Sequence, residues 1–257
     1  MINQILHAPD LNEFEKYLSH ADNQTLVVFD IDEVIFTSKD QVLNPNYKSY
    51  RDVLEKKLAE QVDADKQKKL NFLLYKLRPR VIVDPNILRI FDFLLRKNIK
   101  TIALTHCPTG MIGGDNFEIL RVAQLKNFGI DFSKLLPHVI DVDLSTISTD
   151  IGTPQFLNGV ILTGKIEKGI VLREFLRKIA FKPKQILFID DRIENLLSVQ
   201  SMCADLEIEY VGFEYTAVAD TLPIPFDEER ANLQFQILMQ ESIWLSDEQI
   251  KDRLETK

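Results

Sequence analysis

The chain has 257 residues, with 31 basic and 39 acidic side chains and a net charge of −8. Hydrophobic residues make up 45% and charged residues 27%, and 16 phenylalanines stand against 9 glycines. That profile excludes disordered, collagen-like and glycine-linker classes and leaves a globular chain long enough to bury a sizeable core. The acidic balance argues against broad nucleic-acid binding. Cys107 and Cys203 are the only cysteines, too few for a disulfide framework or a cysteine zinc site, and they point to a reducing setting.

In chain order, the first 18 residues lack the basic region and apolar core of a secretory signal. They read as a helix, with Asp10 as N-cap, Glu13 three residues on, and Leu11, Phe14, Tyr17 and Leu18 along one face. No apolar run reaches the roughly 18 residues that span a bilayer. The expectation is a cytoplasmic protein without a membrane span, with leaderless export into a host cell left open and no oligomeric state specified.

Short apolar runs at Leu26–Phe29, Thr101–Leu104, Val139–Val142 and Ile186–Ile189 read as buried strands, and Gly159–Leu162 is a fifth candidate. Helical spacing recurs between them. Ile87, Leu88, Ile90, Phe91, Leu94 and Leu95 form one pattern, and Ile119, Leu120, Val122, Ala123 and Leu125 a second. A third holds Ile170, Val171, Leu172, Phe175, Leu176 and Ile179. Strands alternating with helices imply a mainly parallel α/β sheet covered on both faces, with its site beyond the carboxyl ends of the strands. From about Asp40 to Asp84 the chain is polar, helix-prone and almost free of glycine, which reads as a small helical insert after the first strand. The tail from Phe226 is again helical, with Ser246 and Gln249 as a capping box.

Two of the strands end in acid. In LVVFDIDEVIF, residues 26–36, Asp30 and Asp32 are two apart, so in extended chain both carboxylates face one space about 6–7 Å apart. In ILFIDDRIENL, residues 186–196, a second apolar run leads into Asp190 and Asp191. An ordinary turn role for such aspartates is common, and Asp191 with Glu194 fits a capping box. Three or four carboxylates at one sheet edge nevertheless repel one another by several kcal/mol in partly dry surroundings. A divalent cation resolves that conflict, and carboxylate oxygens are the donors Mg²⁺ prefers. Of the two lysines in TGKIEKGIVL, Lys168 stands in the first turn of a helix, where a cation is disfavoured by a few tenths of a kcal/mol unless an anion docks there. Lys165 reads as a solvated turn residue.

Asp30-x-Asp32-x-Val34, Thr105 after a strand, Lys168 opening a helix and Asp190-Asp191 after a later strand together resemble the haloacid dehalogenase-like (HAD) superfamily across roughly residues 24–200. Over its whole length the chain resembles a bacterial HAD subgroup found mainly in intracellular bacteria. The resemblance implies a doubly wound, mainly parallel, Rossmann-like core made of residues 1–39 and 84–257, with a helical cap inserted at residues 40–83 that screens substrates. It implies a Mg²⁺-dependent phosphomonoester hydrolase in which Asp30 is the nucleophile, giving an aspartyl-phosphate, and Asp32 the acid and base. Mg²⁺ would be held by Asp30, the Asp32 backbone carbonyl, Asp190 and Asp191. Thr105 and Lys168 would bind the phosphoryl group, with His106 beside them. The substrate would be a phosphorylated small molecule, or in a second reading phosphotyrosine on a host or bacterial protein; a third reading is a phospho-ligand-binding module without turnover.

Two other chemistries drop out. Cys107 has Gly113 six positions on, where a cysteine phosphatase needs Arg, and the near phosphate loop Gly159–Ile166 has strand-like residues inside it and no hydroxyl at Ile166. The four histidines lack metal-ligand spacing, the Lys56–Lys69 run is a solvated helix face, and Trp244 reads as a packing anchor for the tail.

Overall fold

The computed structural model of the chain describes residues 2–221 and 224–255. Its elements in chain order begin with β1 (Asn3–Ala8), α1 (Asn12–Leu18), β2 (Thr25–Phe29), β3 (Phe36–Ser38), α2 (Lys48–Ala59), α3 (Ala64–Leu77) and β4 (Arg80–Ile82). Then follow α4 (Asn86–Arg96), β5 (Lys100–Thr105), β6 (Met111–Ile112), β7 (Asp115–Asn116), α5 (Phe117–Asn127), β8 (Gln155–Leu157) and β9 (Val160–Leu162). The chain closes with α6 (Lys168–Lys178), β10 (Gln185–Asp190), α7 (Ile193–Asp205), β11 (Glu209–Tyr215), α8 (Glu228–Glu241) and α9 (Asp247–Glu255). These elements gather into two compact units.

The first unit comprises Met1–Phe36, Ile82–Met111 and Asp115–Ala217. Its seven-stranded sheet has the order β1-β11-β10-β2-β5-β9-β8, parallel throughout except for the β8–β9 hairpin. Residues alternate between its faces. Leu26, Val28, Ile102, Leu104, Ile186 and Phe188 pack with Val171, Leu172 and Phe175 of α6 and Leu196 and Val199 of α7. On the opposite side Phe29 stacks on Phe91 of α4 with centroids 5.1 Å apart and meets the edge of Phe14 of α1 at 5.4 Å. Helices therefore cover both faces, and the fold is the expected mainly parallel, Rossmann-like α/β class. Each fully buried aromatic contributes about 1.5–3 kcal/mol of apolar burial.

Three expectations need correction here. Residues 3–8 form an edge strand parallel to β11, and the predicted N-terminal helix covers only Asn12–Leu18, with Asp10 accepting from the Asn12 N–H at 2.8 Å. Only Ala8 of β1 is fully buried, so the strand carries little apolar signal. Val139–Val142 is irregular chain whose valines pack against the core without joining the ladder, and a strand not foreseen, Glu209–Tyr215, pairs with β10. In α5 the inward face is only partly the predicted apolar one. Val122 and Leu125 are buried as expected, but Ile119 is 62% exposed, and Glu118, Arg121 and Gln124 are buried beside them.

The second unit comprises Thr37–Val81, Ile112–Gly114 and Val218–Lys257. The insert is helical as expected, but its core is shared with the C-terminal tail. Leu54 and Leu58 of α2 and Leu70 and Leu74 of α3 cluster with Ala231, Phe235 and Leu238 of α8 and with Trp244. Asp40, buried near the start of the insert, accepts from Trp244 Nε1 at 2.7 Å and from the Asp247 N–H at 2.9 Å. Tyr47 donates to the Ile224 carbonyl at 2.7 Å. The tail thus belongs with residues 37–81 rather than with the α/β core, against the division into 1–39 with 84–257 and 40–83. The reason is area: two amphipathic helices alone bury too little apolar surface, and α8 completes the layer. Ser246 and Gln249 form the expected capping box, with bonds of 2.8 and 3.3 Å.

Candidate active site

The geometry of the site follows from strand order. From β2 the chain moves outward through β5 to β9, then returns to β10 on the other side of β2, so the order reverses between β2 and β10. A crevice forms at such a switch point beyond the carboxyl ends of the strands. Ile189 pairs with Phe29, and the Asp30 N–H donates to the Ile189 carbonyl at 2.9 Å, which levels Asp30 with Asp190. Thr105 ends β5 on the far side of β2.

Lys168 joins the two aspartates. Its Nζ lies 2.6 Å from Asp30 Oδ1 and 2.6 Å from Asp190 Oδ2, and all three side chains are buried. It is the first residue of α6, and Gly169 lets that helix approach α7: a Cβ there would lie 2.3 Å from the Ser198 carbonyl oxygen. Lys165, by contrast, is exposed on a turn at φ 70°. The lysine brought to the carboxylates is Lys168.

Asp190 is further held by its own loop, where Oδ1 accepts from the Arg192 N–H and from Asn195 Nδ2, both at 2.9 Å. Asp190 therefore does the loop-closing work, and the capping box drawn for Asp191 and Glu194 is not the arrangement at the start of α7, whose N-cap is Arg192. Asp191 is left to face the other acids. Carboxylate oxygens of Asp30, Asp190 and Asp191 all lie within 4.8 Å of one another. Burial, with the Asp190 charge adding to it and Lys168 opposing, raises the Asp30 pKa to about 7. Burial and the charges of Asp30 and Asp190 raise that of Asp191 to about 8. Burial alone would lower the Lys168 pKa, but the charges of Asp190 and Asp30 outweigh it and raise it. When all three carboxylates are ionised, one ammonium would leave two negative charges over, and hard oxygen donors in that number suit a divalent cation such as Mg²⁺.

The surroundings are cationic. The His106 pKa is lowered by burial and then by the positive charges of Lys168, Arg192 and Lys165. Its Nδ1 lies 3.3 Å from Thr163 Oγ1. The Thr163 N–H donates to the Thr105 carbonyl at 3.0 Å and the Gly164 N–H to the Cys107 carbonyl at 3.1 Å, which zips the end of β5 to the segment after β9. Cys107 is buried, and burial pushes its thiol up to about 12, so it is no nucleophile at neutral pH.

Asp32 goes elsewhere. Its carboxylate is held by the guanidinium of Arg121 of α5, with Nη1 3.2 Å from Oδ1 and Nη2 on Oδ2. It is not in the three-carboxylate group. Sequence reasoning missed Arg121 and Asn195. The available signal for Arg121 was a polar series at 118, 121 and 124 within an otherwise apolar helix.

Residues 7–251 match the model of the family described as "Protein of unknown function (DUF2608)", and the chain belongs to that family. A Rickettsia prowazekii protein described as uncharacterized is 24% identical over 245 residues, covering 94% of this chain and 87% of its own length. A Chlamydia pneumoniae protein described as a putative outer membrane protein is 23% identical over 214 residues, covering 80% of this chain and 76% of its own. Among solved structures, a haloacid dehalogenase-like hydrolase from Streptococcus pneumoniae aligns with a TM-score of 0.37 and 11% identity, over 73% of this chain and 93% of its own. The fold assignment rests on the sheet described above. The outer-membrane description of the Chlamydia relative overturns the cytoplasmic setting expected from the sequence, which is withdrawn. Among the described residues no helix is long and apolar enough to cross a membrane.

Proposed function

We propose that the chain is a Mg²⁺-dependent phosphomonoester hydrolase working through an aspartyl-phosphate. The observation that carries this reading is the meeting of Asp30 and Asp190, from adjacent strand ends, on the buried ammonium of Lys168, with Asp191 alongside. Asp30, Asp190 and Asp191 would hold the ion, with the backbone carbonyl of Asp32. Bound there, Mg²⁺ supplies the positive charge that keeps these carboxylates ionised and neutralises phosphoryl oxygens.

The remaining steps belong to the chain. Lys168 fixes the direction of the Asp30 carboxylate through Oδ1 and contributes positive charge to the phosphoryl group. A carboxylate oxygen of Asp30 attacks phosphorus and the bond to the leaving oxygen breaks, with Asp32 donating a proton to that oxygen. Asp32 then takes a proton from water, the water oxygen attacks phosphorus, and phosphate leaves as Asp30 is restored. Thr105, which ends β5, and His106 after it would donate to phosphoryl oxygens. The substrate is a phosphorylated small molecule or phosphoprotein. The description of the Chlamydia relative supports a setting outside the cytoplasm for this chain, which cell fractionation tests.

The test is hydrolysis of p-nitrophenyl phosphate, a panel of sugar phosphates and nucleotides, and phosphotyrosyl peptides, with Mg²⁺ and with EDTA. Phosphate release that needs Mg²⁺ and disappears in Asp30→Asn is the expected result. Turnover that persists in EDTA, or in Asp30→Asn, overturns the mechanism. Phosphate binding without turnover on any ester would leave a binding module instead.

A further inference from the structure

We propose that Arg121 is a positioning residue which withdraws the Asp32 carboxylate from the acidic cluster and aims it at the leaving group; this inference rests on the phosphohydrolase reading above. Asp30 and Asp32 are two residues apart on one strand end, and a free Asp32 would share the space and the counter-charge of Asp30. The structure separates them by giving each its own buried cation. Asp30 meets Lys168 of α6, and Asp32 meets Arg121 of α5.

The Arg121 side chain is fully covered, whereas that of Asp32 is 30% exposed, so the acid faces the open side and the guanidinium backs it. The fork engages both oxygens of the carboxylate, a planar two-point contact that fixes rotation as well as position. Behind the fork, the guanidinium carbon lies 5.5 Å from the centre of the Phe36 ring, which limits its own movement. The same helix is anchored one turn earlier. Glu118, also buried, accepts from the Gly110 N–H at 2.6 Å through Oε1. Glu118 and Arg121 are thus buried on α5 alongside the apolar Phe117, Val122 and Leu125, and Arg121 is the one of the two that engages Asp32.

A lysine would deliver the charge without the two-point contact. Arg121 touches no reacting atom in this arrangement and acts through Asp32. Its effect should therefore follow the need for proton transfer to the leaving oxygen, which is large for an alkyl alkoxide and small for nitrophenolate.

The experiment compares wild type, Arg121→Met, Arg121→Lys, Asp32→Asn and the double variant Arg121→Met/Asp32→Asn. The substrates are an alkyl phosphate and a series of aryl phosphates of graded leaving-group basicity, all with saturating Mg²⁺. Arg121→Met is expected to lower kcat about 100-fold on the alkyl ester and less than about tenfold on nitrophenyl phosphate, with KM changed by less than about threefold. Arg121→Lys should recover part of the alkyl-ester loss. The double variant should be no slower than Asp32→Asn, because the two residues act as one unit. Equal losses on every leaving group, or losses that multiply in the double variant, overturn the proposal. Calorimetric Mg²⁺ binding reports whether each variant keeps the Asp30–Asp190–Asp191 cluster. Should Arg121→Met fail that check, Arg121→Lys against Arg121→Lys/Asp32→Asn gives the same decision. A wild type inactive on every ester removes the hydrolase reading and this inference with it, whereas an active wild type with leaving-group-independent Arg121 variants removes only this one.

Discussion

Asp40 in the second unit and Asp30, Asp190 and Asp191 in the first are all carboxylates drawn out of water, and they are neutralised in different ways. Asp40 accepts two hydrogen bonds from neutral donors, the Trp244 indole and the Asp247 backbone N–H. Burial raises its pKa, with the Trp244 hydrogen bond the largest opposing effect. It ties the insert to the tail. Asp30 and Asp190, at the ends of β2 and β10, meet on the Lys168 ammonium, with Asp190 also accepting from the Arg192 N–H and from Asn195, and Asp30 and Asp191 have pKa values pushed up to about 7 and about 8. A buried carboxylate with its donors matched is a fastener. A buried group of acids at a topological switch point is where we propose that a cation and an anionic substrate bind.

That contrast can be broken by substitution. The largest effect is expected from Asp30→Asn, which should lower phosphatase kcat by at least about 10⁴-fold while leaving the folded secondary structure intact, read by single-turnover kinetics and circular dichroism. Next comes Lys168→Met. Removing one partner from a buried ion group costs about 3–5 kcal/mol, so metal-free protein should lose that much unfolding free energy and activity should fall steeply. Lys165→Ala should change both by little, and the reverse ranking would mean that the wrong lysine holds the site.

A pH series sharpens the comparison without mutation. Asp30 and Asp191 have native pKa values raised from the ordinary 3.8. Between about pH 4 and 8 the native state therefore binds more protons than the unfolded one, and the stability of metal-free protein should fall as pH rises. Mg²⁺ competes with those protons, so the rise in Tm between EDTA and Mg²⁺ should be small near pH 5 and grow to several degrees by pH 8. A Tm difference that does not grow with pH would mean the cluster does not bind the ion. The smallest effect belongs to the fastener. Trp244→Phe leaves Asp40 short of one donor and should cost about 1–3 kcal/mol by chemical denaturation, without shifting the pH profile of Mg²⁺ binding.

Much of the first unit was legible in the sequence. Continuous apolar runs ending in acid marked β2 and β10, because a strand covered on both faces has no polar positions until it leaves the sheet. Lys168 was legible for a related reason, since a cation in the first turn of a helix calls for a nearby anion. Strands at the sheet margin were harder to see. β1 has a single fully buried residue, and Val139–Val142 has the composition of a strand without the ladder.

The sequence by itself determined the α/β class, the central strands and the residues that end them, because those depend on local periodicity and on which residue types tolerate burial. Only the tertiary structure decided that the tail completes the insert, that α5 turns Glu118, Arg121 and Gln124 inward, and that Asp32 is claimed by Arg121 while Asp30 is claimed by Lys168. Each of those outcomes is a pairing between segments tens to hundreds of residues apart. A single chain read in order carries the donors and acceptors of such pairings but not the distances that match them.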